Sequence, residues 1–190
     1  IYHEHFSYLS LRVAERLFDE HGLHVVDVDT LSTHGGSLRL WVAHRGAAEP
    51  RPGLEAVRTA ERTARIDVLD GYLGFEDEVR ALKRRLLRLL IDLHDAGYRV
   101  AGYGAPGKGN TLLNYCGIRE DLLPYTVDRN PYKQGKYLPG THIPVFAPDH
   151  LEADRPDVIL ILPWNLKDEI IAQLGSARRW GARFLVPVPD

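Results

Sequence analysis

Two stretches of the chain bring together side chains capable of chemistry. The first is Tyr2-His3-Glu4-His5, a phenol, a carboxylate and two imidazoles within four residues. An imidazole titrates near neutrality and can take and return a proton, so one reading of this segment is acid–base catalysis. A metal site would need further ligands. His21, His24 and His34 are present, but no His-Glu-x-x-His spacing joins them to the segment. Ordinary surface or core histidines are the third reading. In an extended segment Tyr2 and Glu4 share one side while His3 and His5 share the other. Glu4 would then act on a substrate instead of orienting His5.

The second stretch is Gly102-Tyr-Gly-Ala-Pro-Gly-Lys-Gly-Asn110. Gly102-x-Gly104-x-x-Gly107 matches the dinucleotide fingerprint, and Asp128 ends the next strand near the spacing of a ribose-binding acid. The same residues read as a phosphate loop, Gly102-x-x-x-x-Gly107-Lys108. Gly109 stands where that loop needs a Ser or Thr for magnesium, and Pro163 follows Ile161-Leu162 where a strand-end aspartate would be required. These two substitutions argue against an ATPase. Glycines needed only for turn geometry remain an alternative, although the Lys108 ammonium beside amide donors suits a diphosphate. The polar run Asp128–Tyr137 follows a strand's C-terminal end, where open α/β sheets bind ligands. A solvated connector would look the same. Trp164-Asn165 follows another strand at the same edge, as a site residue pair or as plain packing.

The elements that must position these residues follow from apolar periodicity. Ser10 can cap a helix with Val13, Ala14, Leu17 and Phe18 on one face, closed by Gly22. Leu23–Val28 and Leu38–Ala43 read as two strands around the turn Thr33–Gly36. Residues 47–97 open with a Pro/Gly connector and continue as helix, with Val79, Leu82, Leu86, Leu89, Leu90 and Leu93 at three- and four-residue steps and Gly97 as the stop. From residue 98 strands alternate with helices. Strands are expected at Arg99–Tyr103, Pro124–Val127, Val158–Leu162 and Phe184–Pro187. Helices are expected at Gly107–Gly117, Pro148–Ala153 and Leu166–Trp180. That order predicts an α/β fold with a doubly wound, mostly parallel, Rossmann-like sheet.

Composition narrows the class. The chain has 190 residues, 44% hydrophobic and 26% charged, and a formal net charge of −2, which argues against a nucleic-acid surface. Lys83-Arg84-Arg85 with Arg88 alternates with leucines and reads as a solvated helix face. No apolar run approaches a membrane span and no targeting arm is visible. The single cysteine, Cys116, excludes an internal disulfide or a multi-cysteine zinc site and fits a reducing cytoplasm. Methionine is absent and the chain opens with Ile1, as expected of a piece of a longer gene product.

Six motifs together resemble one family, the S-adenosylmethionine-dependent C-methyltransferases of nucleotide-linked deoxysugars. They are Tyr2-His-Glu-His-Phe-Ser-Tyr-Leu9, Thr33-His-Gly-Gly-Ser-Leu-Arg39, Gly102–Asn114, Val127–Gln134, Leu138-Pro-Gly-Thr-His142 and Ile161–Asp168. They occur in the family's order across nearly the whole chain. Gly107, where relatives more often have alanine, is a mild departure. The resemblance implies that residues 1–46 close a class I methyltransferase domain with one helix and two strands, that 47–97 are a helical connector, and that 98–190 form the Rossmann-like C-terminal domain. It places the main S-adenosylmethionine loop and a zinc domain upstream, so the chain alone is not expected to turn over.

The activity so implied is methylation of C3 of a dTDP-linked 4-keto-deoxysugar through an enolate. His5 would be the base, with Tyr2 and Glu4 polarising or positioning the sugar. Gly104, Ala105, Lys108, Gly109 and Asn110 become candidates for nucleotide-sugar contacts, and Asp128, Asn130 and Lys133 weaker ones. No metal is expected in this chain, and the expected partners are the nucleotide-sugar and the upstream domains, without nucleic acid or membrane. The competing readings are a NAD-binding module of a dehydrogenase, with Asp128 on the ribose, and a non-catalytic interaction domain.

Overall fold

The run Val158-Ile-Leu-Ile161 is wholly buried, and a strand buried on both faces must be apolar without alternation. In the computed structural model, which describes residues 6–33 and 36–188, this run is the fourth of five parallel strands. Two compact units adjoin in sequence at Asp77 and Glu78. The segment 47–97 contributes to both.

The unit up to Asp77 contains α1 (Leu11–Glu20), β1 (Leu23–Leu31), β2 (Ser37–His44) and α2 (Pro52–Thr63). Ser10 caps α1, its Oγ accepting the Val13 N–H, and Gly22 takes the left-handed conformation (φ 72°) that ends the helix. The strands pair antiparallel from Leu23 opposite His44 to Leu31 opposite Ser37, with an irregularity between Val25 and Asp27. Leu11, Val25, Val28 and Leu54 form the core, so α2 is packed on the same hairpin as α1. Glu61 of α2 reinforces that packing, because its carboxylate accepts the first-turn amides of Leu11 (2.5 Å) and Arg12 (3.1 Å).

The unit from Glu78 onward carries most of α3 (Phe75–Asp95), then β3 (Val100–Tyr103), α4 (Gly107–Cys116), β4 (Thr126–Val127), β5 (Val145–Phe146), α5 (Asp149–Asp154), β6 (Val158–Ile161), α6 (Lys167–Gln173) and β7 (Arg183–Leu185). The strand order is β5-β4-β3-β6-β7, parallel throughout. One face packs Val100, Val158, Leu160 and Leu162 against Leu86 and Leu90 of α3 and Leu113 of α4. The other packs Ala101, Tyr103, Ile159 and Ile161 against Leu151 of α5 and Ile170 of α6. This is the doubly wound α/β sheet expected from the sequence.

Two details differ from expectation. β5 lies inside the long segment after β4, where a two-residue pairing leaves no periodic signal. The helix expected over Leu166–Trp180 is three pieces, with 3₁₀ turns at Trp164–Leu166 and Gly175–Trp180 flanking α6.

Candidate functional site

Successive connections leave β3 in opposite directions, through α4 to β4 on one side and eventually to β6 on the other. The switch point between β3 and β6 is where open α/β sheets form a ligand crevice. The loops 104–106 and 162–166 meet there.

The fingerprint glycines Gly102 and Gly104, and Gly109 beyond them, each have a neighbour that admits no side chain. A Cβ on Gly102 would lie 2.7 Å from Thr126 Oγ1, one on Gly104 2.5 Å from Pro163 Cγ, and one on Gly109 2.8 Å from Leu162 Cβ. Gly104 also has φ 89°, a conformation glycine alone adopts without strain. The tight fit across the switch point therefore accounts for these glycines without any ligand. The amides of the loop before α4 are engaged as well. Gly104 N–H donates to Val127 O at 2.6 Å, Ala105 N–H donates to Asp128 Oδ2 at 2.7 Å, and Pro106 has no N–H. The donors left to an anion are the first-turn amides of α4, which have no intrahelical acceptor.

Lys108 stands in that first turn. Its ammonium donates to Asn165 Oδ1 and lies 5.1 Å from the centre of the Trp164 ring. Lys108 and Asn165 are both partly buried, and desolvation lowers the Lys108 pKa from the ordinary lysine value. Its partners here are a neutral amide and an aromatic face, and neither neutralises its charge. A cation held away from water in this way favours an incoming anion. Asn110, in the next turn position, accepts from Asn114 Nδ2 through both its carbonyl (2.9 Å) and its Oδ1 (3.3 Å).

The Asp128 segment forms a separate cluster. Asp128 Oδ1 accepts the Asn130 N–H at 2.8 Å, and Asn130 Oδ1 accepts the Tyr132 N–H at 3.0 Å. Lys133 Nζ donates to Ala105 O at 2.9 Å and lies 3.4 Å from Asp128 Oδ2. Gln134 Nε2 donates to Asp128 O at 2.9 Å. The Asp128 side chain is 14% exposed. Ala105, Asp128, Asn130 and Lys133 are thus brought together, whereas Lys108 is paired with Asn165 and Trp164.

Tyr2, Glu4 and His5 lie outside the described residues, as does His34. Two cavities were not foreseen. One of about 570 Å³ in the first unit is lined by Leu9, Ser10, Ala14, Gly36, Ser37 and Leu38, among others. It unites the end of the Tyr2–Leu9 motif with the end of the Thr33–Arg39 motif. The other, about 480 Å³, lies in the second unit and is lined by Tyr103, Arg129, Asp149, Glu152, Gln173 and Trp180, among others. Arg129 Nη1 donates to Gln173 Oε1 there at 3.1 Å. No periodic pattern marks these residues, which come from five separate stretches. Among the described residues no helix is long and apolar enough to cross a membrane.

Residues 32–189 match the family model of the C-methyltransferase C-terminal domain. The chain is also 39% identical over 191 residues to the C-methyltransferase NovU of Streptomyces niveus, an alignment covering all of this chain and 46% of that protein. The chain thus spans about half the length of the curated relative it matches.

Proposed function

The chain belongs to the C-methyltransferase C-terminal domain family, and from that premise we propose that it is the C-terminal portion of an S-adenosylmethionine-dependent enzyme that methylates C3 of a dTDP-linked 4-keto-deoxysugar in the cytoplasm. The observation that carries the nucleotide end of this reading is Lys108, a partly buried ammonium at the switch point whose partners among the described residues are Asn165 and Trp164. A diphosphate supplies the charge it lacks. Gly104, Ala105, Gly109 and Asn110 shape the loop and first turn that present it, and Asp128, Asn130 and Lys133 border it.

The acid–base part of this reading is carried by the family likeness of the Tyr2–Leu9 motif. We assign His5 as the base that removes the C3 proton. The electron pair moves into the C3–C4 bond and the carbonyl pair onto the keto oxygen. Tyr2 and Glu4 would hydrogen-bond the sugar, with Tyr2 donating to the oxygen that gains charge. S-adenosylmethionine supplies an electrophilic methyl group when bound. The Gly104 and Ala105 amides are already engaged within the protein and do not form a cradle for it. Zinc belongs to the upstream segment by the same family likeness.

The test uses the complete enzyme with His5→Asn. A positioned base contributes ~10²–10⁴-fold, so methyl transfer should fall by at least that range while dTDP affinity stays within about twofold. Deuterium uptake at C3 from D₂O, followed by NMR without the methyl donor, should disappear in the same variant. Retained exchange or turnover would remove His5 from the role of base.

A further inference from the structure

Asp128 occupies the position from which dinucleotide-binding domains read the ribose, yet its carboxylate faces the protein. Oδ2 accepts the Ala105 amide across 23 residues of sequence, and Oδ1 accepts the Asn130 amide. Lys133 closes the ring, donating to the carbonyl of that same Ala105 and sitting 3.4 Å from Asp128 Oδ2. Both backbone groups of Ala105 are therefore fixed by side chains of the β4–β5 segment. Ala105 lies three residues before Lys108, in the turn that starts α4.

We propose that Asp128, with Lys133, is a positioning residue that latches the β3–α4 loop. The latch withdraws the Ala105 amide from any ligand and fixes the start of α4. The phosphates are then received by Lys108 and the first-turn amides alone. A pyrophosphate seated along the glycine loop, as a dinucleotide requires, finds no free amide at residues 104–106. A ribose finds a carboxylate already engaged through both oxygens. The unit is thereby selective for a nucleoside diphosphate group over a dinucleotide. This inference rests on the reading of Lys108 as the diphosphate contact, but the latch itself has a signature that needs no ligand.

Two measurements on this chain separate the claims. The Ala105 amide, followed by NMR hydrogen exchange without ligand, should be protected in the wild type and exchange at least tenfold faster in Asp128→Ala. Calorimetric titration with dTDP should show roughly tenfold weaker binding for Asp128→Ala and a smaller loss for Asp128→Asn, which keeps one neutral acceptor. NAD should not bind the wild type. Far-ultraviolet circular dichroism and a melting curve identify a variant that has not folded. In that case Asp128→Asn, which weakens the acceptor of the Ala105 amide while keeping the side chain's size, provides the same comparison with a smaller expected change. Unprotected Ala105 in the wild type, or dTDP affinity unchanged in a folded Asp128→Ala with fast exchange, overturns the latch. Absence of dTDP binding to a wild type with a protected Ala105 overturns the diphosphate reading and leaves the latch standing.

Discussion

Lys108 concentrates the functional argument at the scale of a single residue. Its charge is drawn partly out of water beside a neutral amide and an indole, and that desolvation lowers its pKa. Charge-assisted hydrogen bonds are worth ~1.5–3 kcal/mol, so Lys108→Met should weaken dTDP binding by roughly 10–100-fold with little change in stability. The pH dependence has a definite sign. The ammonium is present below its pKa in the free protein, and a bound anion raises that pKa by favouring the charged form. Affinity should therefore be flat up to the lowered free-state pKa and fall as pH rises beyond it, at a lower pH than an ordinary lysine would show. Titrations above pH ~8, where the phosphates no longer titrate, isolate this effect, and Lys108→Met should abolish it. A flat profile in the wild type would count against Lys108 as the anion contact.

At the scale of elements, the sequence announced those whose signal is local and was silent on those fixed from afar. β6 was legible because burial on both faces demands an unbroken apolar run. α1 was legible because Ser10 and Gly22 bracket its periodic face. The glycines were visible, but the reason for Gly104 lies 59 positions away in Pro163, and no spacing rule reaches that far. Asp128 looked like a ribose reader for the same reason, since its partner Ala105 is identified only once β3 and β4 pair. Glu61 is a further case. Ser10 is the recognisable cap, yet Glu61 accepts two first-turn amides of α1 from another helix, and a carboxylate there also favours the helix dipole. Ser10→Ala should lower stability by ~0.5–1 kcal/mol, and Glu61→Ala by ~1.5–3 kcal/mol. Urea unfolding gives both values. The reverse order would mean that the carboxylate contributes little beyond the Ser10 cap.

At the scale of the whole molecule, each unit has its own core, and the diphosphate contacts proposed here belong to the second alone. Ligand that binds only the folded state stabilises it by RT ln(1 + [L]/Kd), ~2.7 kcal/mol at one hundred times Kd. Local openings that expose the site are suppressed by that amount, whereas openings that leave it intact are not. With dTDP at that excess, amide exchange should slow by up to ~100-fold in β3, the first turn of α4 and the Pro163–Leu166 turn. Residues 11–63, which contain α1, β1, β2 and α2, should exchange as they do without ligand. Peptide-level exchange mass spectrometry resolves these segments. Protection spread equally over residues 11–63 would move the nucleotide contacts out of the second unit. Protection by NAD instead of dTDP would turn the argument toward a dehydrogenase module, because the Ala105 amide and the Asp128 carboxylate would then have to release each other for the dinucleotide to enter.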